Sequence, residues 1–341
     1  MYHTVLQALA DGHQHTAEQL IKQCHLRVTD LKQAINTLST FGIRVLERGT
    51  NTYQLTEPVE LLDHARILAA LPLSTRQRLA QIEIHTVLDS TNQYALARYC
   101  GAVPFACLTE YQTAGRGRQG RQWISPYASG LCLTLKPCYT TLYQPLSGLN
   151  IALAVTVAQT LRTLGATEIG IKWPNDILWR GRKLAGLLLE SRSGKKCNIV
   201  YGIGINVKMH TSDTKAINQP FVDLSSVLGH KSLSRNTLAA KLIDQCLQTL
   251  DRYPQVGLTA FRQDWHRFDL SYGQSVTLQI PQNTFSKKEP LKTGQNTKNT
   301  LIENKEYIMG TACGIDDQGA LLLQVGHQKR RYACGEVSLR L

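Results

Sequence analysis

The 341-residue chain is long enough for two or three domains, and its 43% hydrophobic and 18% charged residues are typical of soluble globular proteins. No apolar run reaches the ~20 residues that a membrane span needs, and the N-terminal sequence lacks the basic and apolar regions of a signal peptide. The formal net charge of +13 indicates polyanionic partners such as nucleotides or nucleic acid.

The nine cysteines stand at positions 24, 100, 107, 132, 138, 197, 246, 313 and 334, and no two of them form a C-x-x-C pair. Their odd number and irregular spacing argue against a disulfide framework and against a zinc site. We therefore expect reduced and mostly buried thiols, no bound metal at cysteines, and a cytoplasmic location.

Residues 1–62 carry short helical patterns followed by two strand-like runs. Leu31, Ile35 and Leu38 recur at helical spacing, and a turn at 49–51 separates the strand-like runs. Helix, turn, helix and hairpin in this order predict a winged helix-turn-helix, although a small helical cap on the next domain would have the same pattern. The region holds five basic and six acidic residues, so the positive charge of the chain lies elsewhere.

The sequence after residue 62 changes character twice. Residues 63–80 read as a connecting helix and linker, and residues 81–268 alternate strands with helices. The strand-like runs are 105–112, 130–136, 168–173, 184–191 and 198–207, and the clearest helices are 149–165 and 236–253. Several consecutive strands between few helices predict an α+β domain with a mixed sheet.

Residues 269–341 contain short strand-like runs separated by glycine turns, which predict a small β-barrel of roughly five strands. Within them, residues 281–306 are polar and rich in Lys, Asn and Thr. This insertion has no core pattern, so we expect a long mobile hairpin loop. A nucleic-acid-binding tail is the alternative.

The stretch 115–121, GRGRQGR, matches the dinucleotide fingerprint G-x-G-x-x-G by its glycines alone. A dinucleotide loop leads directly into a helix and has an acidic residue about 20 positions further on. Pro126 and Gly130 oppose such a helix, and no Asp or Glu occurs between Glu110 and Glu168. The stretch is therefore not a dinucleotide site.

Three arginines, Arg116, Arg118 and Arg121, alternate with these glycines. Glycine lets a backbone wrap closely around a ligand, and each guanidinium suits phosphate or carboxylate oxygens. Because the three charges repel one another, we expect a loop that orders when an anion binds and then excludes water. A solvated basic loop is the alternative.

Polar groups flank this loop in the sequence. DSTN at 89–92 stands between a strand-like and a helix-like run, where Ser90 or Thr91 serves either as a helix N-cap or as a ligand contact. Gln112 comes at a strand end before the loop, and its amide can donate to and accept from a small polar ligand. Trp123 follows the loop, and its indole can stack on a purine.

The hexapeptide KWPNDI at 172–177 is the most unusual in the chain. Pro174 interrupts strand pairing, so we expect Asn175 and Asp176 to lie in a turn. Lys172 and Asp176 then form either a buried pair or part of a site.

Two further strand-like runs carry polar or small residues. Lys183 heads the apolar run 184–191, where its ammonium would be held at the end of the sheet. The run GIGINV at 202–207 is interrupted by glycines. Such a strand allows close approach of a ligand or of another backbone.

The motifs DSTN, EYQTAGRGRQGRQW, KWPNDI, GRKLAGLLLE, GIGINV and the C-terminal GIDDQGALLL and GEVSLR occur in this order and spacing in biotin protein ligases. The chain resembles the bifunctional bacterial type, which carries an N-terminal winged helix and represses biotin-synthesis genes. The resemblance covers almost the whole chain, is weakest in residues 1–62 and is interrupted by the insertion at 281–306.

This resemblance implies an α+β protein of three domains. It implies a winged helix-turn-helix DNA-binding domain at 1–62, a linker at 63–80, and a biotin- and ATP-binding catalytic domain at 81–268. The catalytic domain would have the mixed-sheet α/β fold of a ligase, similar to class II synthetases. Residues 269–341 would form an SH3-like β-barrel.

The implied activity is that of a biotin–[acetyl-CoA-carboxylase] ligase. Biotin and MgATP would give biotinyl-5′-AMP, from which biotin would pass to one lysine of the biotin carboxyl carrier protein. The resemblance also implies operator DNA as a partner and a homodimer, formed on adenylate binding by sheet-edge pairing of two central domains.

The resemblance assigns roles to individual residues. Those implied to bind biotin are Ser90, Thr91, Asn92, Gln112, Gly115, Arg116, Gly117, Arg118, Lys183, Gly186 and Gly204. Those implied to bind ATP or the adenylate are Arg118, Arg121, Trp123, Lys172, Asn175, Asp176, Lys183 and Asn206. Arg118 and Lys183 would act at the carboxylate–phosphate junction, and we expect Asp176 to orient or deprotonate the incoming lysine. The expected DNA contacts are Arg27, Thr29, Lys32, Gln33, Asn36 and Arg48.

The sequence departs from the family pattern in two places. Gln119 stands where the loop often has another basic residue, and Asp30 lies in the expected recognition helix, where a carboxylate near phosphates is unfavourable. A transcription regulator that only senses biotinyl-AMP is the alternative from another class, and the intact arginine-rich loop together with Lys183 argues against it. A lipoyl or octanoyl transferase is a weaker alternative, because those enzymes lack the arginine-rich loop.

Overall fold

A computed structural model of the chain describes most of its residues. These are 1–49, 51–79, 81–98, 103–139, 146–192, 198–209, 217–229, 233–281, 305–333 and 338–340. Nearly all of the expected insertion at 281–306 lies outside the described residues. Within them, no helix combines the length and the apolar character needed to cross a bilayer.

The N-terminal region folds as three helices and a small sheet. The helices are α1 (Tyr2–Leu9), α2 (Ala17–Cys24) and α3 (Val28–Thr40), and the strands are β1 (His15–Thr16), β2 (Val45–Arg48) and β3 (Thr52–Leu55). The strand order is β1-β3-β2. Thr16 begins α2 with a capping box. The Thr16 hydroxyl accepts from the Gln19 backbone amide, and the Gln19 side-chain oxygen accepts from the Thr16 backbone amide. Leu31 and Leu38 of α3 are fully buried, as their spacing predicts.

The segment between this region and the central sheet consists of two short helices, α4 (His64–Ala70) and α5 (Leu73–Arg78). It is anchored on the core of the central sheet and its helices, because Ile67 is fully buried there and the Asp63 amide donates to the Asn236 side chain at 2.7 Å. Residues 63–79 therefore act as a docked connection rather than a free tether.

The central sheet has seven strands in the order β4-β5-β6-β10-β9-β8-β7. They are β4 (Gln81–Leu88), β5 (Phe105–Gln112), β6 (Gly130–Lys136), β7 (Ile169–Lys172), β8 (Asp176–Trp179), β9 (Arg182–Arg192) and β10 (Asn198–Asn206). The β4–β5 pair is parallel and every other pair is antiparallel, so the sheet is mixed, as the sequence predicts.

The helices that belong to the central sheet are α6 (Thr91–Ala97), α7 (Leu149–Thr163), α8 (Leu224–Val227), α9 (Arg235–Val256) and α10 (Arg262–Phe268). Both helices predicted from the apolar patterns are present, as α7 and α9. They pack on each other and on the sheet, and α7 is buried along almost its whole length. This core fixes the sheet whose loops and strand ends carry the polar motifs.

The prediction that Asp176 lies in a turn is wrong. The turn closes within residues 173–175, and Asp176 begins β8, where it is paired with Lys172 on one side and Gly186 on the other. Pro174 needs only the turn itself to avoid strand pairing, so the strand can resume two residues later.

The C-terminal region is a five-stranded antiparallel sheet in the order β14-β13-β12-β11-β15. Its strands are β11 (Ser275–Pro281), β12 (Lys305–Ile315), β13 (Leu321–Val325), β14 (Gln328–Tyr332) and β15 (Ser338–Arg340). The Trp173 indole donates to the Gly319 carbonyl at 3.1 Å, which ties this sheet to the turn before Asp176. Strand β15 thereby reaches the polar end of the central sheet.

The N-terminal region docks on the central sheet through aromatic rings. Phe41, at the end of α3, lies 5.4 Å between ring centroids from both Tyr111 and Tyr127, and 5.3 Å from Tyr2. Offset and tilted ring pairs of this kind stabilise an interface beyond simple area burial. Tyr111 precedes the polar Gln112 directly, so the interface shares a strand with the loop region.

Candidate active site

A cavity of about 710 Å³ gathers nearly every residue singled out in the catalytic region. The predicted site residues that line it are Ser90, Thr91, Asn92, Gln112, Arg116, Gly117, Arg118, Arg121, Trp123, Lys172, Asn175, Asp176, Lys183, Gly186, Gly204 and Asn206. They come from five separate stretches of the chain, 90–92, 112–123, 172–176, 183–186 and 204–206. The structure thus brings together motifs that the sequence shows only as separate stretches.

Gly115 is the predicted site residue that does not line this cavity. A β-carbon added to it would lie 2.3 Å from the Trp123 carbonyl oxygen and 2.9 Å from the Gln112 amide nitrogen. Since real atoms do not approach so closely, Gly115 is required by packing at the base of the loop. It permits the loop and the strand end to lie side by side.

One end of the cavity is formed by the start of α6 and the end of β5. Ser90 is the N-cap of α6, and its hydroxyl accepts from the Gln93 amide at 3.5 Å. The backbone amide and the hydroxyl of Thr91 donate to Gln112 Oε1 at 2.9 and 3.2 Å. These bonds orient the Gln112 amide, so the N-cap role and a ligand-facing position coexist here.

The loop at 115–121 is a closed turn. The Gly117 amide donates to the Arg121 carbonyl at 2.7 Å, and the Trp123 amide donates to the Gly115 carbonyl at 2.9 Å. Gln119 has a φ of 55°, in the left-handed region. The expectation that the loop orders only around an anion stays a prediction.

The two arginines that head this loop contact different elements. Arg116 Nη2 lies 2.9 Å from Glu190 Oε1 on β9, and Arg118 Nη1 donates to Asn175 Oδ1 at 3.3 Å. Asn175 is itself fixed, because its amide donates to the Leu187 carbonyl at 2.6 Å. The loop is thus tied to β9 and to the turn between β7 and β8.

Strands β7, β8 and β9 each place one charged group in a cluster, namely Lys172, Asp176 and Lys183. Lys183 Nζ lies 2.9 Å from Asp176 Oδ1, and both side chains are less than one fifth exposed (15% and 18%). Lys172 is the cross-strand neighbour of Asp176. Burial lowers the pKa of Lys172, as do the charges of Lys183 and Arg121, while Asp176 opposes the shift. The acid is therefore paired with Lys183, and the pKa of Lys172 lies below that of an ordinary lysine.

Trp123 lies against two glycines of the sheet. A β-carbon on Gly204 would meet the indole at 2.5 Å, and one on Gly186 would meet it at 3.0 Å. The indole therefore depends on the bare backbone of β9 and β10 for its position. This explains the glycine-interrupted strand, although the close approach seen here is by a side chain.

The charged residues that line the cavity are mostly cations. Among the described lining residues, the cations are Arg116, Arg118, Arg121, Lys172, Lys183 and Arg340. Asp176 is the one carboxylate among them. An excess of fixed cations in a concave site attracts and holds polyanions.

Comparison with known proteins agrees with this geometry. The chain is 36% identical to the bifunctional ligase/repressor BirA of Salmonella typhimurium, over 99% of this chain and 97% of that protein. It is 35% identical to BirA of Escherichia coli, over 97% and 95% of the two chains. The chain belongs to the biotin protein ligase family.

Family models give the same assignment to separate parts of this biotin protein ligase. The model of the biotin/lipoate A/B protein ligase family matches residues 85–206, and that of the biotin protein ligase C-terminal domain matches residues 293–340. A biotin protein ligase from Aquifex aeolicus, solved with biotin and ATP, covers 76% of this chain and 99% of its own, with a TM-score of 0.61 and 23% identity. That likeness shows the biotin protein ligase fold, and the resemblance inferred from the motifs is confirmed.

Sequence reasoning missed several residues at the site of this ligase. Arg340 reaches the cavity from β15, and residues 217–221 line another side of it. Cys132 lies beneath Gln112, whose amide donates to its sulfur at 3.4 Å, and burial raises the pKa of the Cys132 thiol to about 11. Arg340 ends the GEVSLR motif, but neither that motif nor the sequence around the other positions indicates a role at the site, so only the fold reveals it.

The residues expected to contact DNA lie in the N-terminal region, outside the cavity. Arg27, Thr29, Lys32, Gln33, Asn36 and Arg48 are all exposed. Arg27 Nε donates to Asp30 Oδ2 at 3.0 Å, which lowers the pKa of Asp30 and gives Asp30 a local partner. The acidic group that looked unfavourable for DNA binding is thus paired within the first turn of α3.

The cysteines agree with the expectation of mostly buried, unpaired thiols as far as the structure describes them. Cys24, Cys107, Cys132 and Cys246 are buried free thiols, and Cys138 and Cys313 are partly exposed. Among the described residues, no group of three or more His, Cys, Asp or Glu side chains is arranged to hold a metal ion.

Proposed function

We propose that this ligase activates biotin with MgATP to biotinyl-5′-AMP and transfers it to a lysine of the biotin carboxyl carrier protein of acetyl-CoA carboxylase. The observation that carries this proposal is the cavity itself, with six cations facing one carboxylate among its described lining residues. Both reactants of the first step are anions, so their mutual repulsion must be offset by fixed positive charge.

The first step joins the two anions. A biotin carboxylate oxygen forms a bond to the α-phosphorus of ATP, the bond from that phosphorus to the bridging oxygen breaks, and pyrophosphate leaves. Arg118 and Lys183 are our choice for the junction, because both line the cavity and both are oriented there, Arg118 by Asn175 and Lys183 by Asp176. They would stabilise the negative charge that gathers on the phosphoryl oxygens.

The two substrates would occupy adjoining parts of the site. Ser90, Thr91 and Gln112 offer an oriented set of donors and acceptors for the ureido ring of biotin. Trp123 and Asn206 would adjoin the adenylate, and Asn206 is fixed by donation to the Lys183 and Val222 carbonyls. The remaining lining residues named above would complete these two subsites.

The second step transfers the acyl group. The carrier lysine amine attacks the acyl carbon of the mixed anhydride, an amide bond forms, and AMP leaves. Asp176 is positioned to accept a hydrogen bond or a proton from that amine, because it is the one carboxylate among the described lining residues. Its ion pair with Lys183 fixes the direction of its oxygens.

Magnesium fits this site as a companion of ATP. Mg²⁺ prefers oxygen ligands and is commonly held by one or two carboxylates together with substrate phosphates. Asp176 and Asn175 are the oxygen donors on the cavity wall that could join the phosphates. Bound there, the ion would neutralise part of the phosphate charge.

We further assign residues 1–62 as a winged helix-turn-helix that binds operator DNA, with β2 and β3 as the wing. The support is an exposed α3 with six polar residues in and around it, and relatives that are named repressors. We assign the C-terminal sheet to an SH3-like barrel. We also propose a cytoplasmic homodimer that forms by sheet-edge pairing on adenylate binding.

A labelling assay tests the enzymatic proposal. Purified protein is incubated with biotin, MgATP and a biotin carboxyl carrier domain, denatured in acid and probed with streptavidin. We expect a labelled carrier band that is lost without ATP and strongly reduced in Lys183→Ala. If the carrier stays unlabelled while biotinyl-AMP binds, the chain is a sensor without catalysis. A gel shift on a biotin-operon promoter, with and without biotinyl-AMP, tests the repressor role.

A further inference from the structure

Glu190 lies where the arginine loop, β9 and α6 meet, yet it does not line the cavity. Its Oε1 is 2.9 Å from Arg116 Nη2, and its Oε2 accepts from Asn92 Nδ2 at 2.9 Å. One carboxylate therefore connects the loop to the helix that carries the Thr91 contacts. Its own side chain is 18% exposed, so it is largely shielded from water.

Asn92 is held in place on all sides. Its amide nitrogen also donates to the Leu188 carbonyl at 3.2 Å, and its oxygen accepts from the Thr134 hydroxyl at 2.7 Å. A β-carbon on Gly202 would lie 2.5 Å from that oxygen, so the strand beneath has room for Asn92 only because residue 202 is glycine. Glu190 is consequently anchored on the rigid sheet side.

The loop side is different. Arg116 is 45% exposed, and the nearby loop carries Arg118 and Arg121, whose like charges repel it. Arg116 also forms an antiparallel bridge with Gln122 across the base of the loop. An interaction that holds Arg116 in place therefore restricts the motion of both ends of the loop, at Arg116 and at Gln122.

We propose that Glu190 is a positioning residue that latches the arginine loop shut over the bound adenylate. The anchored carboxylate offsets the repulsion among the loop arginines at the biotin end, and it sets how rarely the loop opens. Its function is retention of the activated intermediate until the carrier lysine arrives, because an opened loop releases biotinyl-AMP to water or to unrelated amines. This proposal rests on the proposed ligase function.

The test measures release of the intermediate. Wild type and Glu190→Gln are loaded with radiolabelled biotin and MgATP in the presence of pyrophosphatase, then chased with excess unlabelled biotin, and protein-bound adenylate is followed in time. The amide keeps the size of the side chain but removes the charge that pairs with Arg116. We expect Glu190→Gln to release adenylate about five- to tenfold faster, as loss of a partly shielded ion pair allows.

Two further variants make the result specific. Glu168→Gln removes the acid of another Glu–Arg pair, with Arg180 at 2.5 Å on the surface, and should release adenylate at the wild-type rate. Adding Glu190→Gln to Arg116→Gln should not speed release beyond that of Arg116→Gln alone, because the carboxylate acts on the loop only through Arg116. Trypsin should cut the loop faster in adenylate-loaded Glu190→Gln than in loaded wild type.

The outcomes separate the two proposals. If wild type forms adenylate and Glu190→Gln releases it at the wild-type rate, the latch is refuted and the ligase function stands. If wild type forms no adenylate, the ligase function itself fails. A general loss of folding would instead lower the melting temperature and slow adenylate formation, whereas the latch predicts normal formation with faster release.

Discussion

Lys183 and Asp176 form an ion pair of 2.9 Å inside the cavity, and each is supplied by a different strand of the β8–β9 hairpin. The pair sits among five other cations of the lining, so Asp176 balances only part of the positive charge. Positive charge therefore remains around Lys183 that can attract an anionic substrate. Asp176 in turn holds the ammonium in one direction, which is the preorganisation that charge stabilisation requires.

Removing the Lys183 ammonium should stop the first step. We expect Lys183→Ala to slow pyrophosphate release about 10²–10³-fold, the usual cost of losing one group that stabilises developing charge. Binding of biotin itself should change much less, which equilibrium titration with biotin can check. Lys329→Ala, on the exposed strand β14, is the matched control and should react at the wild-type rate. Unchanged pyrophosphate release in Lys183→Ala would show that this lysine is not at the junction.

Loss of the Lys172 proton should weaken ATP binding at alkaline pH. Because its pKa is lowered from the ordinary lysine value of 10.5, it loses its charge at a lower pH than an exposed lysine. The KM for ATP should therefore rise with pH as this proton is lost. Lys172→Arg, which stays protonated, should remove that part of the profile. A profile that is the same in both proteins would contradict a role for Lys172 in binding phosphate.

Lys172 should also affect stability, because its buried charge favours ATP binding but lowers the free energy of unfolding. Its pKa is lower in the folded chain than in the unfolded chain, so the unfolded state holds more protons between the two values. The free energy of unfolding therefore rises with pH through that window. Below the window, the buried charge of Lys172 lowers the free energy of unfolding by its full amount. We expect Lys172→Met to raise the melting temperature at pH 7 while weakening ATP binding. A fall in the melting temperature at pH 7 would contradict the buried-charge argument.

The parts of the site that the sequence could predict are local in the chain. Arg116, Arg118 and Arg121 stand in one short stretch, and the position of Gln112 follows from the strand that ends at it. In such stretches the residue types already limit the chemistry. The motifs could be joined into one site only through their resemblance to a family, because nothing in the separate stretches states their distances.

The parts that could not be predicted depend on long-range contacts. Arg340 enters the cavity from the last strand, and Glu190 meets Arg116 across 74 positions of sequence. Glu190 ends the GRKLAGLLLE motif and Arg340 ends the GEVSLR motif, but neither motif indicates what its charged residue contacts. The wrong turn assignment of Asp176 has the same origin, since its pairing with Gly186 on a neighbouring strand decides its conformation.

The N-terminal region should bind DNA mainly through exposed cations. We expect Lys32→Ala to weaken binding to operator and unrelated DNA alike, and to reduce the slope of log K against log salt by about one, as loss of one phosphate contact does. Gel shifts over a range of salt concentrations measure both quantities. Lys329→Ala serves again as the control, since it is an exposed lysine in the C-terminal sheet. Equal slopes in Lys32→Ala and wild type would remove Lys32 from the interface.

A buried ion pair should make the connection between the N-terminal region and the catalytic domain sensitive to substitution. Arg235 Nη1 lies 2.8 Å from Glu110 Oε2, with side chains 4% and 1% exposed. Arg235 also donates to the Glu60 carbonyl, and the Leu62 amide donates to Glu110 at 2.5 Å. The pair therefore anchors the chain that leaves the N-terminal region onto β5, two residues before Gln112.

Neutralising the acid leaves a buried guanidinium without its charge partner. We expect Glu110→Gln to lower the free energy of unfolding by about 3 kcal/mol, the typical result of breaking such a pair from one side. Urea unfolding followed by circular dichroism measures the change. Glu168→Gln, which breaks a solvent-exposed pair with Arg180, is the matched control and should unfold at the wild-type urea concentration. If Glu110→Gln and Glu168→Gln unfold alike, water or a shift of Arg235 must relieve the lost charge, and the docked connection does not depend on this pair.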